Sequence, residues 1–296
     1  MTEPRHANPL PLGGEDGLPY SKGLMARALM AAGVTADRAY ELALRVQDDL
    51  TVRGEQTVEI DRLEQLAHEV LGENEGAQAV RRLRRHDSLR DLDLPIIVLV
   101  GGATGTGKST VATEVAYRLG ITRVTSTDFV RQTMRAFLSQ EFMPSIHYSS
   151  FEVPGESGLG GVVEGFLEQT RNVLIGVRAL IERALQEGWS LVLEGVHLVP
   201  GMLPPVEGAM VVHCLLAIEE EQLHESHFWV RDASSDGLRP VQKYLDSLGD
   251  IRVIQDFILD QARSSAVPVV ENGSIELSIG TVMELVLSSA ERYTQV

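Results

Sequence analysis

The sequence predicts an α/β protein: a parallel five-stranded sheet with helices on both faces, preceded by a smaller region made only of helices. Three observations support this fold class. Short and almost wholly apolar runs suit strands that are buried on both faces. Longer segments with apolar residues at helical spacing alternate with those runs. Before position 90, helical spacing occurs without any strand pattern.

Length and composition describe a soluble globular chain. Its 296 residues are enough for one large domain or two ordinary ones, and 44% of them are hydrophobic. No apolar run approaches the roughly 20 residues that span a bilayer. The first residues lack the layout of a secretory signal, and the one cysteine, Cys214, cannot form an intrachain disulfide. We therefore expect a cytoplasmic protein that has no membrane partner.

The formal net charge of −16 makes the surface as a whole repel polyanions. Nucleic acids are therefore disfavoured as partners, because proteins bind them by neutralising phosphates with lysine and arginine. A small phosphorylated metabolite remains possible as a ligand, since one local cationic pocket is enough to bind it. The sequence leaves the oligomeric state open.

The part of the chain before the sheet divides into a tail and a helical domain. Residues 1–17 are rich in proline, glycine and polar side chains, which predicts a disordered tail. Residues 18–90 are predicted to form a small all-α domain with helices over SKGLMARALMAAGV, TADRAYELALRVQDDL and IDRLEQLAHEVLGE. A charged segment then ends at Pro95, and the second domain is predicted to span residues 91–296.

The second domain alternates predicted strands with predicted helices. The strands are IIVLV (96–100), RVTST (123–127), SLVLEG (190–195), MVVHCLL (210–216) and VPVV (267–270). The helices cover about 108–119, 129–139, 161–187, 239–264 and 280–292. Parallel sheets of this kind bind ligands at the carboxyl ends of their strands, so polar residues that follow strands are the candidates for a functional site.

A phosphate-binding loop follows the first strand. The stretch GGATGTGKST contains the pattern G-x-x-x-x-G-K-[ST] between a predicted strand and a predicted helix. Its glycines let backbone N–H groups approach phosphate oxygens, Lys108 is expected to reach the β and γ phosphates of ATP, and Ser109 is expected to bind Mg²⁺. The predicted nucleotide-binding residues are Gly102, Ala103, Thr104, Gly105, Thr106, Gly107, Lys108, Ser109 and Thr110.

Asp128 follows the second strand and precedes a helix that carries Arg131 and Arg135. A carboxylate beside two guanidinium groups suits an acceptor that combines a hydroxyl with an anionic group. Asp128 is expected to orient or deprotonate the hydroxyl, and the arginines to bind the anion. The alternatives are that Asp128 only caps the helix and that the arginines lie on a solvated helix face.

Glu194 ends the third strand, where a carboxylate can hold Mg²⁺ through its water shell. The pattern does not decide whether Glu194 or Asp128 is the main partner of the ion. His197 follows closely and is a candidate for substrate contact, although a structural hydrogen bond explains it equally well.

The polar segment between about Ile218 and Pro240 is predicted to be a mobile lid. Arg231 and Arg239 are expected to act from it as catalytic cations that offset charge on the moving phosphoryl group. His224 and His227 have metal-like spacing, but no set of ligands with zinc spacing accompanies them, so a metal site is disfavoured there.

Several stretches resemble the 2-phosphoglycerate kinase family of P-loop kinases: GGATGTGKST, GITRVTSTDFVRQTMR, PSIHYSS, LVLEGVHLVPG, HFWVRD and KYLDSLGDIRVIQDFILDQA. Together they cover nearly all of residues 95–272 in the family's order. Residues 19–46 are similar to the ATP-cone-like helical segment that many members carry. Whether this segment binds nucleotide or only docks on the kinase domain stays open. The resemblance also places His147, Ser149 and Ser150 in a substrate-binding segment.

The resemblance implies a P-loop kinase fold and transfer of the γ-phosphoryl group of ATP to the 3-hydroxyl of 2-phosphoglycerate, giving 2,3-bisphosphoglycerate. The stretch FEVPGESGLGG departs from the family's substrate segment, so another phosphorylated polyol, such as an inositol phosphate, is an alternative acceptor. Nucleotide sensing with little catalysis is a second alternative. A polynucleotide kinase is disfavoured by the acidic surface.

Overall fold

The computed structural model describes residues 19–89, 92, 94–154, 161–203, 205–234 and 241–294, with the backbone alone for 86–88, 231–234 and 294. The predicted tail, 1–17, lies outside these residues. The chain divides into two compact units. One comprises the residues up to 93 together with those from 290 onward, and the other comprises residues 94–289.

The first unit contains four helices around a core of its own. They are α1 (Lys22–Ala31), α2 (Ala36–Arg53), α3 (Ile60–Leu71) and α4 (Glu73–Ser88). Each of the three predicted helices is present. The fourth was not predicted, because arginines dominate its sequence. Its apolar residues Ala79, Val80 and Leu83 nevertheless join the buried cluster.

The second unit is built on a parallel sheet of five strands in the order β2-β3-β1-β4-β5. The strands are β1 (Ile96–Gly101), β2 (Val124–Ser126), β3 (Leu191–Glu194), β4 (Met210–Ala217) and β5 (Val269–Glu271). All six residues of β1 are buried, as expected for the central strand of a sheet covered on both faces. The predicted strands and fold class are confirmed.

Seven α-helices and one 3₁₀ turn are described in the rest of the chain. They are α5 (Lys108–Leu119), α6 (Thr127–Phe137), the 3₁₀ turn Pro144–His147, α7 (Val162–Gln186), α8 (Glu221–Ser234), α9 (Val241–Asp246), α10 (Leu248–Ser264) and α11 (Ile275–Thr294). No helix among the described residues is long and apolar enough to cross a membrane.

One helix was not predicted and one was predicted with the wrong extent. The segment predicted to be a mobile lid contains the 14-residue helix α8, in which His224 and Phe228 are buried in an otherwise polar sequence. The long helix expected over 239–264 is two helices, α9 and α10, which break at Ser247.

The sheet order determines where a ligand can bind. The chain leaves β1 for β2 on one side of the sheet and reaches β4 on the other side, so the order reverses beside β1. Glu194 at the end of β3 pairs in register with Val100 of β1 and with Ser126 of β2. The carboxyl ends of these three strands therefore lie side by side.

Candidate active site

The phosphate-binding loop connects β1 to α5 at the point where the strand order reverses. Gly102 adopts a φ of 137°, and a Cβ atom there would lie 2.2 Å from the carbonyl oxygen of Leu216. Only glycine fits this position, because both the backbone conformation and the neighbouring strand exclude a side chain. The loop is therefore held tightly against β4.

Lys108 begins α5 and is buried, with 8% of its surface exposed. Its Nζ donates a hydrogen bond to the carbonyl oxygen of Ala103 at 2.5 Å, which leaves two further N–H donors on the ammonium. Burial lowers the pKa of Lys108, and the negative charges of Glu194 and Asp128 oppose that shift. Both carboxylates therefore lie within electrostatic reach of the lysine.

Ser109 and Glu194 form a pair of oxygen ligands beside that lysine. The Oγ of Ser109 donates a hydrogen bond to Oε1 of Glu194 at 2.8 Å, and Glu194 is buried. No group of three or more histidine, cysteine or acidic residues among the described residues could hold a metal ion. A hydroxyl and one carboxylate nevertheless suit Mg²⁺, which completes its shell with water and substrate phosphates.

Asp128 lies in the first turn of α6, directly after β2. The cap of this helix is Ser126, whose Oγ accepts from the backbone N–H of Phe129 at 3.0 Å, so Asp128 is free of a capping role. Partial burial raises the pKa of Asp128, but the charge and hydrogen bonds of Arg131 and a hydrogen bond from Gln132 outweigh it and hold the pKa below its usual value. The carboxylate is therefore ionised at neutral pH.

Most of the N–H donors of Arg131 are hydrogen-bonded to neighbouring groups of the protein. Its Nε and Nη2 donate to Oδ1 of Asp128 at 3.0 and 2.7 Å. Its Nη1 donates to the carbonyl oxygens of Ile146 and Tyr148 at 2.7 and 2.9 Å. Four of the five guanidinium N–H groups are thus used, and one remains for an anion. Arg135, one turn further along α6, is exposed and has no partner among the described residues.

His197 is enclosed in the protein core. Its Nδ1 accepts a hydrogen bond from the hydroxyl of Thr127 at 2.8 Å, and its Nε2 donates to Oε1 of Gln169 at 2.9 Å. Burial lowers the pKa of His197 to about 3, and the nearby charge of Arg131 contributes. The ring is neutral and both nitrogens are taken, so it offers no donor or acceptor to a substrate. Its position fixes Thr127 beside Asp128.

The segment predicted to bind substrate lies between α6 and α7. His147 ends the 3₁₀ turn and donates from Nε2 to the carbonyl oxygen of Leu138 at 2.9 Å. The Oγ of Ser149 accepts from Nζ of Lys243 at 3.2 Å, and Ser150 is buried. Of these three residues, Ser149 therefore has a polar group near the protein surface.

The side chains of the two arginines predicted to act from the lid are not among those that the structure describes. The backbone of Arg231 lies in α8, but its side chain is outside the described part of the chain. Arg239 lies outside the described residues altogether. Their roles stay predictions.

Three residues that hold the loop were not assigned this role from the sequence. Four consecutive loop carbonyls each accept a hydrogen bond from a side chain: Ala103 O from Lys108 Nζ (2.5 Å), Thr104 O from His224 Nε2 (2.8 Å), Gly105 O from His227 Nδ1 (3.0 Å) and Thr106 O from Asn272 Nδ2 (2.9 Å). The three newly assigned donors lie beyond the carboxyl ends of β4 and β5. That position, at the ligand-binding edge of the sheet, was the one available sequence signal.

Comparison with known proteins identifies close relatives. The 2-phosphoglycerate kinases of Pyrococcus horikoshii and Pyrococcus furiosus are 37% and 36% identical to this chain, and each alignment covers 90% of the chain and 89% of the relative. The 2-phosphoglycerate kinase of Methanothermobacter thermautotrophicus is 36% identical over the same shares of both chains. No protein-family model matches the chain.

Solved structures of small-molecule kinases are also similar. A shikimate kinase from Acinetobacter baumannii in complex with shikimate gives a TM-score of 0.41 at 20% identity, covering 68% of this chain and 97% of that chain. A gluconokinase from Sinorhizobium meliloti gives a TM-score of 0.37 at 12% identity, covering 68% and 95%.

Proposed function

The chain belongs to the 2-phosphoglycerate kinase family and is an ATP-dependent kinase, and we propose that it phosphorylates the 3-hydroxyl of 2-phosphoglycerate to give 2,3-bisphosphoglycerate. The observation that carries this proposal is the grouping at one edge of the sheet. Buried Lys108 lies within electrostatic reach of Glu194 and Asp128, and Glu194 is bonded to Ser109. Phosphoryl transfer needs such a grouping, because its catalysis is mainly positioning and charge neutralisation.

The loop and Lys108 serve the nucleotide. Backbone N–H groups at the start of α5 and in the loop donate to phosphate oxygens, and the positive end of the helix dipole favours the negative charge. The two free N–H groups of Lys108 bind oxygens of the β and γ phosphates. The ammonium of Lys108 therefore stays in contact with the γ-phosphoryl group during its transfer.

Ser109 and Glu194 are the residues that would hold Mg²⁺, with their oxygen atoms already adjacent. When bound, the ion neutralises charge on the phosphates and on the departing ADP. Glu194 is buried and accepts the hydrogen bond of Ser109, so the two oxygen atoms are held next to each other.

Asp128 orients the acceptor hydroxyl by accepting its hydrogen bond. The bond from the acceptor oxygen to the γ-phosphorus forms, the bond from that phosphorus to the β–γ bridging oxygen breaks, and ADP keeps the electron pair. The hydroxyl proton passes to Asp128 and then to water. The lowered pKa of Asp128 makes it a weak base, so orientation is its main contribution and proton transfer comes late.

The anionic groups of the acceptor are bound on the α6 side. Arg135 supplies an exposed guanidinium that has no partner among the described residues, and Arg131 supplies its one remaining N–H group. Ser149 adds a hydroxyl from the adjacent segment. Arg231 and Arg239 are proposed to offset charge on the moving phosphoryl group.

A panel of acceptors tests the proposal. The protein is incubated with ATP, Mg²⁺ and one of 2-phosphoglycerate, 3-phosphoglycerate or an inositol phosphate, and the products are identified by mass spectrometry. We expect one added phosphoryl group on 2-phosphoglycerate. Phosphorylation of an inositol phosphate in its place would replace the acceptor and leave the reaction class intact. ATP binding with no phosphorylated product from any acceptor would contradict the proposal and favour nucleotide sensing.

A further inference from the structure

The phosphate-binding loop is held from outside by side chains of distant elements. Helix α8 supplies His224 and His227, and the residue after β5 is Asn272. They donate to the carbonyl oxygens of Thr104, Gly105 and Thr106 at 2.8, 3.0 and 2.9 Å. These contacts join positions more than 100 residues apart along the chain.

The direction of each carbonyl determines the direction of the next N–H group. In a trans peptide, the C=O of one residue and the N–H of the following residue point to opposite sides. Fixing the carbonyls of Thr104 and Thr106 on the outside therefore turns the N–H groups of Gly105 and Gly107 inward. Neither N–H has an acceptor in the part of the chain that the structure describes. The peptide held by His227 carries the N–H of Thr106, which donates to the carbonyl of Ala103 at 3.4 Å, so His227 holds the loop backbone between these two amides.

We propose that His224, His227 and Asn272 are positioning residues that hold the loop backbone, and with it the amides of Gly105 and Gly107, in the orientation that binds the phosphates of the nucleotide. The inference rests on the proposed function, because it concerns the same nucleotide site. A glycine-rich loop has many conformations open to it, and binding would otherwise have to order it. The three anchors remove that freedom before the nucleotide arrives.

The anchor at His224 is rigid. The ring of His224 stacks on Phe228 with centroids 5.4 Å apart, and Phe228 stacks on Tyr244 at 5.1 Å. A Cβ atom added to Gly105 would lie 2.5 Å from Cζ of Phe228. Helix α8 therefore packs directly on the loop, and the ring of Phe228 covers one face of the imidazole.

The protonation state of His224 lets its Nε2 donate to the loop carbonyl at all times near neutral pH. Since Nε2 donates to a carbonyl, the neutral ring carries its proton there, and Nδ1 is buried with no partner in the described part of the chain. Burial lowers the pKa of His224 to about 4. The ring therefore stays neutral around pH 7 and keeps its one proton on the side of the loop.

Matched substitutions test the proposal. An asparagine at position 227 places an amide nitrogen near the site of Nδ1, and a glutamine at position 224 places one near Nε2. His227→Asn and His224→Gln therefore keep the donors, whereas His227→Leu and His224→Leu remove them. Ser226→Ala is the control on α8, because the exposed hydroxyl of Ser226 donates to the carbonyl oxygen of Leu223 in its own helix and contacts no loop carbonyl among the described residues. Binding of ADP and of inorganic triphosphate is measured by calorimetry, with turnover and thermal unfolding measured in parallel.

We expect each leucine variant to weaken ADP and triphosphate binding about tenfold, which corresponds to one lost hydrogen bond. The KM for ATP rises by a similar factor, the KM for the acceptor stays unchanged, and the asparagine and glutamine variants stay within about twofold of the wild type.

Folded leucine variants with a lower melting temperature but unchanged ADP affinity would overturn the inference and leave the histidines a structural role. If His224→Leu does not fold, the comparison of His227→Leu with His227→Asn tests the inference, since His227 is only half-buried. A wild type that binds ADP and phosphorylates no acceptor contradicts the proposed function and not this inference, because ADP binding is measured apart from turnover.

Discussion

The proposed nucleotide side and the proposed acceptor side of this site are built in different ways. The nucleotide side, residues 102–109, is backbone held in place by buried side chains, and its Lys108 is almost fully enclosed. The acceptor side, Asp128 with α6 and residues 144–150, presents side chains, and 51% of the Asp128 side chain is exposed. Binding on one side depends on a rigid backbone, whereas on the other it depends on a few replaceable groups.

This difference separates what is common to a kinase from what is particular to its substrate. A cradle of backbone amides accepts any nucleoside triphosphate tail, because it reads only phosphate oxygens. The proposed acceptor side, made of one carboxylate and a few cations, would select a hydroxyl with an adjacent anion, and one substitution can change such a choice. Damage to the two sides should therefore affect different kinetic constants.

The largest effect is expected at the lysine of the nucleotide side. Lys108→Ala removes the cation that follows the γ-phosphoryl group, so kcat should fall about 10³-fold or more while the protein stays folded. Turnover and circular dichroism measure the two outcomes. Activity that survives intact in a folded variant would remove Lys108 from the mechanism.

A smaller loss of turnover is expected on the acceptor side. Asp128→Asn keeps the shape but loses the negative charge that orients the acceptor hydroxyl, so kcat should fall about 10²-fold. ADP affinity, measured by calorimetry, should remain within about twofold of the wild type. Weakened ADP binding with normal turnover would assign Asp128 to the nucleotide side.

Acceptor affinity should depend on Arg135. Arg135→Ala removes the free guanidinium of α6, so the KM for the acceptor should rise about tenfold at an unchanged KM for ATP. Arg178→Ala, which removes an exposed arginine of α7 that is paired with Glu182, is the matched control. Equal behaviour of the two variants would exclude Arg135 from acceptor binding.

The smallest effect concerns stability. The folded protein holds the pKa of His197 at about 3, against 6.5 in its ordinary state. Between these values the unfolded chain binds a proton that the folded protein excludes, so stability falls as the pH falls. From pH 7 to pH 5 this residue alone should lower the unfolding free energy by about 2 kcal/mol.

Urea unfolding at the two pH values measures this loss. His197→Gln should reduce the loss by that amount, because glutamine does not titrate. Thr127→Val is the control, since it removes the hydrogen bond to His197 but keeps the titrating ring. The same pH dependence in His197→Gln as in the wild type would assign the acid sensitivity to other groups.

The sequence predicts the sheet and the position of the glycine loop between β1 and α5 well, because both depend on local patterns. The apolar run before Gly102 and the spacing from Gly102 to Ser109 are visible in one short stretch. The position of Asp128 after a strand was equally readable. These predictions need only the rule that parallel strands end at one edge of the sheet.

The residues that support the site were harder to predict, because their partners are distant in sequence. Gln169 bonds His197 and the carbonyl of Tyr148, and Asn272 bonds Thr106 across 166 positions. The sequence did not predict α4 and α8, because charged and polar residues outnumber the few buried residues of each helix and obscure the helical spacing. Periodicity reports which face is apolar, and it does not report which polar side chain meets which carbonyl.

A double-mutant cycle tests most directly whether the nucleotide side and the acceptor side act on one phosphoryl group. The turnover of Lys108→Ala, Asp128→Asn and the double variant is compared with the wild type in single-turnover experiments. If the two residues serve the same transfer step, the double variant should be within about tenfold of Lys108→Ala alone. Losses that multiply in full would contradict this account, because they would show no energetic coupling between Lys108 and Asp128.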